Sequence, residues 1–442
     1  MKIGFIPIDN RPVCYTLPLQ IVSIDDDIEI YLPEREWLGD LNRYADVEKI
    51  LDWLSNLPEL DAIVVSLDTV AYGGLISSRR CPDTFEQIKS RIEKLKNILS
   101  AKKAKIYAFS SIMRISNNNI NEEEKEYWAK WGKKIFNYSY CMHKYGTVCK
   151  KEVPNEILDD YLKTRERNFE INKIYLDWQK EGFFDTLVFS KDDCAEYGFN
   201  VQEAETLEKF GGFIKTGADE IPLSLLARAI KGNVKVAPIF LEDSSKNLIS
   251  NYEDISIEKC VEGQLKLAGC DVVDVSQADI LLYVNNFKKQ QGELVMDIDT
   301  EPFTGSWNPP KRPYMIADVR FANGADNCFV EQFLQHDLGQ NFYGYSAWNT
   351  SANSLGSLIC AAKVKFLAKK YNYEAFEKLQ IIRFLDDWAY QANVRKLHLD
   401  SSSLKAGMSD FEKIVFDKVG KSYEISYSLP WNRSFEVEIE FN

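Results

Sequence analysis

The chain has 442 residues, a formal net charge of −13, 45% hydrophobic and 27% charged residues. This is an ordinary soluble composition, long enough for one large domain plus an accessory piece or for two domains. The acidity argues against nucleic acid or an anionic membrane as main partner, because phosphates need positive charge to meet them. No apolar run approaches the about 18 residues of a membrane span, and no apolar leader with a small-residue cleavage site follows Met1.

In chain order, Ile3 to Ile8 is a short apolar run that stops at Asp9-Asn10-Arg11-Pro12, so it reads as a buried strand followed by a polar loop. A second run, Ile28 to Leu32, ends at Pro33. Residues 46–56 repeat apolar positions with helical spacing. Ala62 to Leu67 is the next strand, ending at Asp68 and continuing through Thr69-Val70-Ala71-Tyr72-Gly73-Gly74. Residues 84–99 are an amphipathic helix, and Lys105 to Ser111 is a strand followed by Met113-Arg114. The acidic run Glu122-Glu123-Glu124 suits the N-terminus of a helix over 121–140. A long helical pattern covers 155–180. Strand 186–190 then runs directly into Lys191-Asp192-Asp193.

Beyond it, 201–209 is helical, and Phe213 to Thr216 is a strand leading into Gly217-Ala218-Asp219-Glu220. Pro222 suits the first turn of the next helix. Val234 to Leu241, Ile280 to Val284, Tyr314 to Ala317 and Phe342 to Ala347 are further strands. They end at Glu242-Asp243, Asn285-Asn286, Asp318 and Trp348-Asn349, with Asn353 entering the helix after the last of them. Helices are expected at 254–268 and 355–368, and a polar loop at 288–312. Residues 371–442 change character, with two helical patterns before an alternating tail. They read as a small α+β appendage on a main domain of residues 1–370.

Alternating short apolar strands and helices are the pattern of an α/β protein with a mainly parallel sheet. Nearly every strand ends in a polar residue. That favours a (β/α)8-like barrel with elaborations, whose site is assembled at the C-terminal strand ends. An open doubly wound sheet is the alternative. The nine scattered cysteines contain no CxxC pair and read as reduced thiols of a cytoplasmic protein.

The strand ends supply the candidate site. Asp192 and Asp193 are its sharpest feature, because crowded carboxylates push one pKa up and leave one acid and one base or orienting group. Asp9, Arg11, Asp68, Tyr72, Arg114, Asp219, Glu220, Asp318, Trp348, Asn349 and Asn353 are the candidate substrate-binding residues. Each has a plainer use as well: an Asp after a strand caps helices and forms turns, and Trp348 can be core. The repetition at successive strand ends carries the argument. Oxygen ligands alone would suit Mg²⁺, Mn²⁺ or Ca²⁺, whereas three dispersed histidines and no cysteine cluster disfavour zinc. There is no phosphate-binding glycine motif.

Ile6-Pro7-Ile8-Asp9-Asn10-Arg11-Pro12, Ser66-Leu67-Asp68 with Ala71-Tyr72-Gly73-Gly74, Ser111-Ile112-Met113-Arg114, Asp192-Asp193, Gly217-Ala218-Asp219-Glu220, Trp348-Asn349-Thr350 and Pro430-Trp431-Asn432-Arg433 together resemble a bacterial family catalogued as a domain of unknown function. The resemblance runs along nearly the whole chain. It implies a bacterial cytoplasmic protein and no particular reaction. A weaker resemblance is to β-N-acetylglucosaminidases of the hyaluronidase and O-GlcNAcase type, which carry a strand-end Asp-Asp pair and a later Trp-Asp-Asn motif. Asp192-Asp193 would match the pair, and Trp348-Asn349 matches the later motif only in part.

These readings converge on a glycoside hydrolase-like enzyme acting on a small glycan, an N-acetylated amino-sugar glycoside among the possibilities. It would work without a cofactor and have neither nucleic acid nor membrane as partner. A divalent-metal hydrolase using Asp9, Asp68, Asp192 and Asp318 is the first alternative. A non-catalytic sugar-binding protein is the second. Oligomeric state is not legible in the sequence.

Overall fold

Strands buried on both faces need apolar side chains at successive positions, and the first half of the chain supplies them. In the computed structural model, which describes residues 1–149, 152–191 and 195–442, β1 (Lys2–Ile6), β2 (Glu29–Tyr31), β3 (Ala62–Ser66), β4 (Lys105–Ile112), β5 (Thr186–Lys191) and β6 (Ile214–Thr216) form one parallel sheet in the order β2-β1-β3-β4-β5-β6. All of β3 is buried, as is β4 beyond Lys105. Ile6, Val65 and Ala108 lie in register across β1, β3 and β4 and belong to one apolar core. The helix Phe85–Ala101 brings Ile88, Ile92, Leu95 and Leu99 to that core. Its start is fixed by reciprocal Thr84 and Gln87 hydrogen bonds, which satisfy donors that a first turn otherwise leaves open.

The second half repeats the plan. β7 (Lys235–Phe240), β8 (Asp271–Val272), β9 (Ile280–Asn285), β11 (Tyr314–Asp318) and β13 (Phe342–Ser346) form a parallel sheet in the order β13-β11-β9-β7-β8. Two short strands, β10 (Gly292–Glu293) and β12 (Phe321–Ala322), pair apart from it, and β14 (Ile425–Ser428) and β15 (Glu438–Phe441) form an antiparallel hairpin in the tail. Numbered within their own halves, both sheets begin with the order second, first, third, fourth, fifth strand. The sequence shows no repeat that signals this shared plan.

The strands therefore form two open sheets, and the single closed barrel expected from the polar strand ends is not what they build. The open-sheet alternative fits. Period and burial identify a parallel strand but say nothing about its neighbour, so a barrel and two smaller sheets read alike. The chain divides into two compact units. One comprises Met1–Tyr15, Glu29–Leu225 and Tyr252–Asp254; the other comprises Thr16–Ile28, Leu226–Asn251 and Ile255–Asn442. The stretch 371–442 lies in the second of these. Its helix Tyr373–Arg383 continues as a π-helix over Phe384–Val394.

Three further differences have local causes. Leu67–Tyr72 is a short helix that turns directly off β3 and ends at Gly73, whose φ of 89° is left-handed. Glu122-Glu123-Glu124 does not open a helix. The helix there starts at Trp128 with no acidic residue in its first turn, and Glu123 and Glu124 are instead drawn to arginines. Cys141 and Cys149 are joined in a disulfide rather than being free thiols. The helix Trp128–Tyr145 ends at Gly146 with φ 67°, the chain turns back, and the two Cα atoms come within 5.7 Å. Cys14, Cys81, Cys260, Cys270, Cys328 and Cys360 take part in no disulfide. Among the described residues, no helix is long and apolar enough to cross a membrane.

Candidate functional site

In a doubly wound parallel sheet, ligands bind beyond the C-terminal strand ends, at the point where successive crossovers leave in opposite directions. In the first unit that point lies between β1 and β3. The chain leaves β1 outward to β2, then returns past β1 to begin β3. The loop after β1 carries Asp9 and Arg11, and the turn after β3 carries Asp68. Thr69 Oγ1 donates to the Pro7 carbonyl at 2.5 Å and ties the two loops together. Gly39 packs behind them so closely that a Cβ there would lie 2.2 Å from the Gly73 carbonyl oxygen.

Arg11 is the centre of this edge. Its Nε donates to both Asp9 oxygens at 3.0 and 2.9 Å, and its two NH groups reach Asp219 at 3.2 and 2.6 Å. All three side chains are buried. Burial pushes the Asp219 carboxyl up, Arg11 opposes that, and the charges of Asp9 and Glu123 reinforce it. Glu123 belongs to an adjoining group: Arg114 NH2 donates to it at 2.8 Å, and Arg79 lies 3.4 Å from both Glu123 and Glu124. Arg80 grips the same loop by its backbone, donating to the carbonyls of Asn121, Glu122 and Glu124. Asp9, Asp219, Glu123 and Glu124 face Arg11, Arg79 and Arg114.

Asp68 and Tyr72 sit deeper. Asp68 has no exposure, and one oxygen accepts from the Ser111 amide at 2.8 Å. Burial pushes its carboxyl up to about 7. Ser190 Oγ lies 3.3 Å from Ser111 Oγ, so the ends of β3, β4 and β5 are joined by buried polar contacts. Glu220 is buried at the start of the helix Ile221–Ala229 and curls back over Gly217. Asp192 and Asp193 lie outside the described residues.

Asp318, Trp348, Asn349 and Asn353 belong to the second unit. Asp318 is fully engaged there: Asn285 Nδ2 donates to one oxygen at 2.8 Å, and Tyr345 OH and the Asp326 amide donate to the other, each at 2.9 Å. Burial, reinforced by Asp326, pushes it up to about 7. Trp348 is buried with its ring 5.7 Å from that of Phe435. The Asn349 carbonyl accepts from the Asn323 amide at 2.8 Å. Asn353 is buried in the first turn of the helix Ser351–Leu367.

The structure thus brings Asp9, Arg11, Arg114 and Asp219 of the sequence-derived set into one charged cluster, and adds Arg79, Glu123 and Glu124. Arg79 gave no strand-end signal, and Glu123-Glu124 looked like a helix start. Among the described residues, no three His, Cys, Asp or Glu side chains are arranged to hold a metal ion.

Residues 3–401 match the family model described as "Protein of unknown function (DUF4127)", and the chain belongs to that family. No curated protein matches the chain.

Two outcomes follow from this electrostatic arrangement. Arg11→Leu leaves Asp9 and Asp219 buried without their cation and should cost about 3–5 kcal/mol in denaturant melts; adding Asp219→Asn should recover part of the loss. Asp68→Asn tests the raised carboxyl. A folded-state value near 7 above an unfolded value near 3.8 means that this group's stabilisation is fully present below about 4 and lost as pH rises through about 7. Wild type should therefore lose about 1 kcal/mol or more relative to Asp68→Asn between pH 4 and pH 8, and parallel pH–stability curves would contradict the assignment.

Proposed function

We propose that this protein is a hydrolase of small glycans that works by acid–base chemistry at the C-terminal edge of the first sheet, between the ends of β1 and β5. The observation that supports this most directly is the Arg11-centred cluster at the β1/β3 switch point, where open α/β sheets bind ligands. A cluster with both guanidinium and carboxylate groups can donate to and accept from the hydroxyls of a sugar. β5 of the same sheet leads in sequence into Asp192-Asp193.

In this reading Asp193 is the general acid/base and Asp192 its orienting partner, or the two exchange roles. One carboxyl protonates the leaving oxygen, while the other orients an acetamido group on the sugar. Mutual repulsion between two carboxyls that share a site raises one of their pKa values. Arg11, Arg114, Asp219 and Glu123 hold the substrate. A metal-dependent mechanism through Asp9, Asp68, Asp192 and Asp318 has less support, because both oxygens of Asp9 and both of Asp318 already accept from protein donors.

The test is a panel of aryl glycosides and oligosaccharides, including N-acetylated amino sugars, with and without chelator. Wild type should turn over at least one class in the presence of chelator. Asp193→Asn should lose about 10²–10⁴-fold in kcat while keeping its fold. Wild-type turnover by Asp193→Asn contradicts the assignment; tight binding without turnover across the panel makes the protein a sugar binder; loss of activity on chelation favours the metal mechanism.

A further inference from the structure

The helix Phe199–Lys209 begins at a residue that cannot cap it. Gly198 holds the N-cap position and has no side chain, so the first amides must find acceptors elsewhere. They find them on the last two turns of the helix Trp128–Tyr145. The Phe199 amide donates to Ser139 Oγ at 2.7 Å, and the Gly198 amide donates to His143 Nδ1 at 3.1 Å. Tyr197 packs on the same helix end. Its ring lies edge-on to Tyr140 at 5.4 Å and to His143 at 5.5 Å, and the Lys144 ammonium stands 4.6 Å from its centroid. Residues 197–199 are therefore seated on one surface of the first unit. In sequence they follow closely on Asp192-Asp193.

Burial does little to hold that surface in place. Residues 144–149 are all exposed, and the helix stops at Gly146, whose amide donates to the Met142 carbonyl at 3.0 Å. A helix end with few buried contacts opens at low free energy. The tie at this end is covalent. Cys141, buried one turn inside the helix, is bonded to the exposed Cys149, eight residues on. The six other described cysteines take part in no disulfide, so among the described residues a thiol reductant has this one target.

We propose that the Cys141–Cys149 disulfide is a reversible redox lock on the seat of residues 197–199. Formed, it fixes the end of the helix Trp128–Tyr145. Reduced, it lets that end open and the seat loosen, so the thiol state of the pair sets how firmly the chain beyond Asp192-Asp193 is held. The reductant is a dithiol. One of its thiolates attacks the exposed Cys149 sulfur, and the electron pair of the broken S–S bond goes to the Cys141 sulfur, which takes up the proton that the attacking thiol gave up. The second thiol then displaces Cys149 from the mixed disulfide. Two electrons pass to the protein, both cysteines end as thiols and the reductant ends as a disulfide. Exchange with an oxidised dithiol reverses each step. The lock does not depend on which reaction the protein performs.

Hydrogen–deuterium exchange on the full chain, with and without dithiothreitol, tests this. Non-reducing peptide mapping of the oxidised protein should find Cys141 joined to Cys149. Reduction should raise amide exchange in peptides covering 139–146 and 197–200 by about fivefold or more, with the strands 62–66 and 105–112 unchanged, and reoxidation should restore it. Cys149→Ser, a change at an exposed position, should show the raised exchange without reductant and respond no further to it. An oxidised protein without that bond overturns the proposal. So does exchange at 197–200 that ignores both reduction and Cys149→Ser, that fails to recover on reoxidation, or that rises equally in the strands.

Discussion

A guanidinium held between two carboxylates organises the candidate site. Arg11 meets Asp9, two residues earlier, and Asp219, 208 positions later in the chain. A buried charge persists only when it is paired and its hydrogen-bonding groups are used, so this three-residue contact locks the β1 loop to the turn after β6. The adjoining Glu123 and Glu124 then have fixed cations to meet in Arg79 and Arg114. Without Arg11, the edge of the sheet would carry buried carboxylates with nothing to hold them. The cluster is therefore a condition of the local fold.

The two units handle strand ends differently. In the second, Asp318 is saturated by Asn285, Tyr345 and the Asp326 amide. Arg320 is fully buried and directed to Asn285, Glu242 and the Glu301 carbonyl. Nearby, Asp387 accepts from the Ala347 amide at 2.6 Å and pairs with Arg383. Such networks hold loops in place. In the first unit, the strand-end charges form ion pairs around Arg11, Arg79 and Arg114. The same sheet plan thus holds its strand ends through a hydrogen-bonded carboxylate at Asp318 in one case and through paired guanidinium and carboxylate groups around Arg11 in the other.

Much of this was legible in the sequence, and the failures have physical causes. Short apolar runs located the major strands because parallel strands buried on both faces leave a continuous signature. Helices such as Val47–Asn56 and Phe85–Ala101 emerged from their apolar period. Strand pairing was not legible, since Ile6 and Val65 look the same whether their sheet closes or stays open. The helix Leu67–Tyr72 was missed because all six of its residues are buried, which removes the amphipathic contrast. The polar strand ends led to Asp9, Arg11, Arg114 and Asp219, which the structure gathers among its ion pairs. They could not separate residues of one unit from those of the other, nor show that the acidic run at Glu122 to Glu124 serves distant arginines. The Cys141–Cys149 disulfide depends on a chain reversal at Gly146 that residue spacing alone does not announce.

The central claim is that the ligand site lies at the β1/β3 switch point of the first sheet, around Arg11 and Asp219. Crystals of the full chain soaked with a panel of mono- and disaccharides, including N-acetylated amino sugars, test it directly. The account places ligand density within hydrogen-bonding distance of Arg11, Asp219 or Glu123. A saccharide bound reproducibly to the second unit alone, with that cluster untouched, would contradict it.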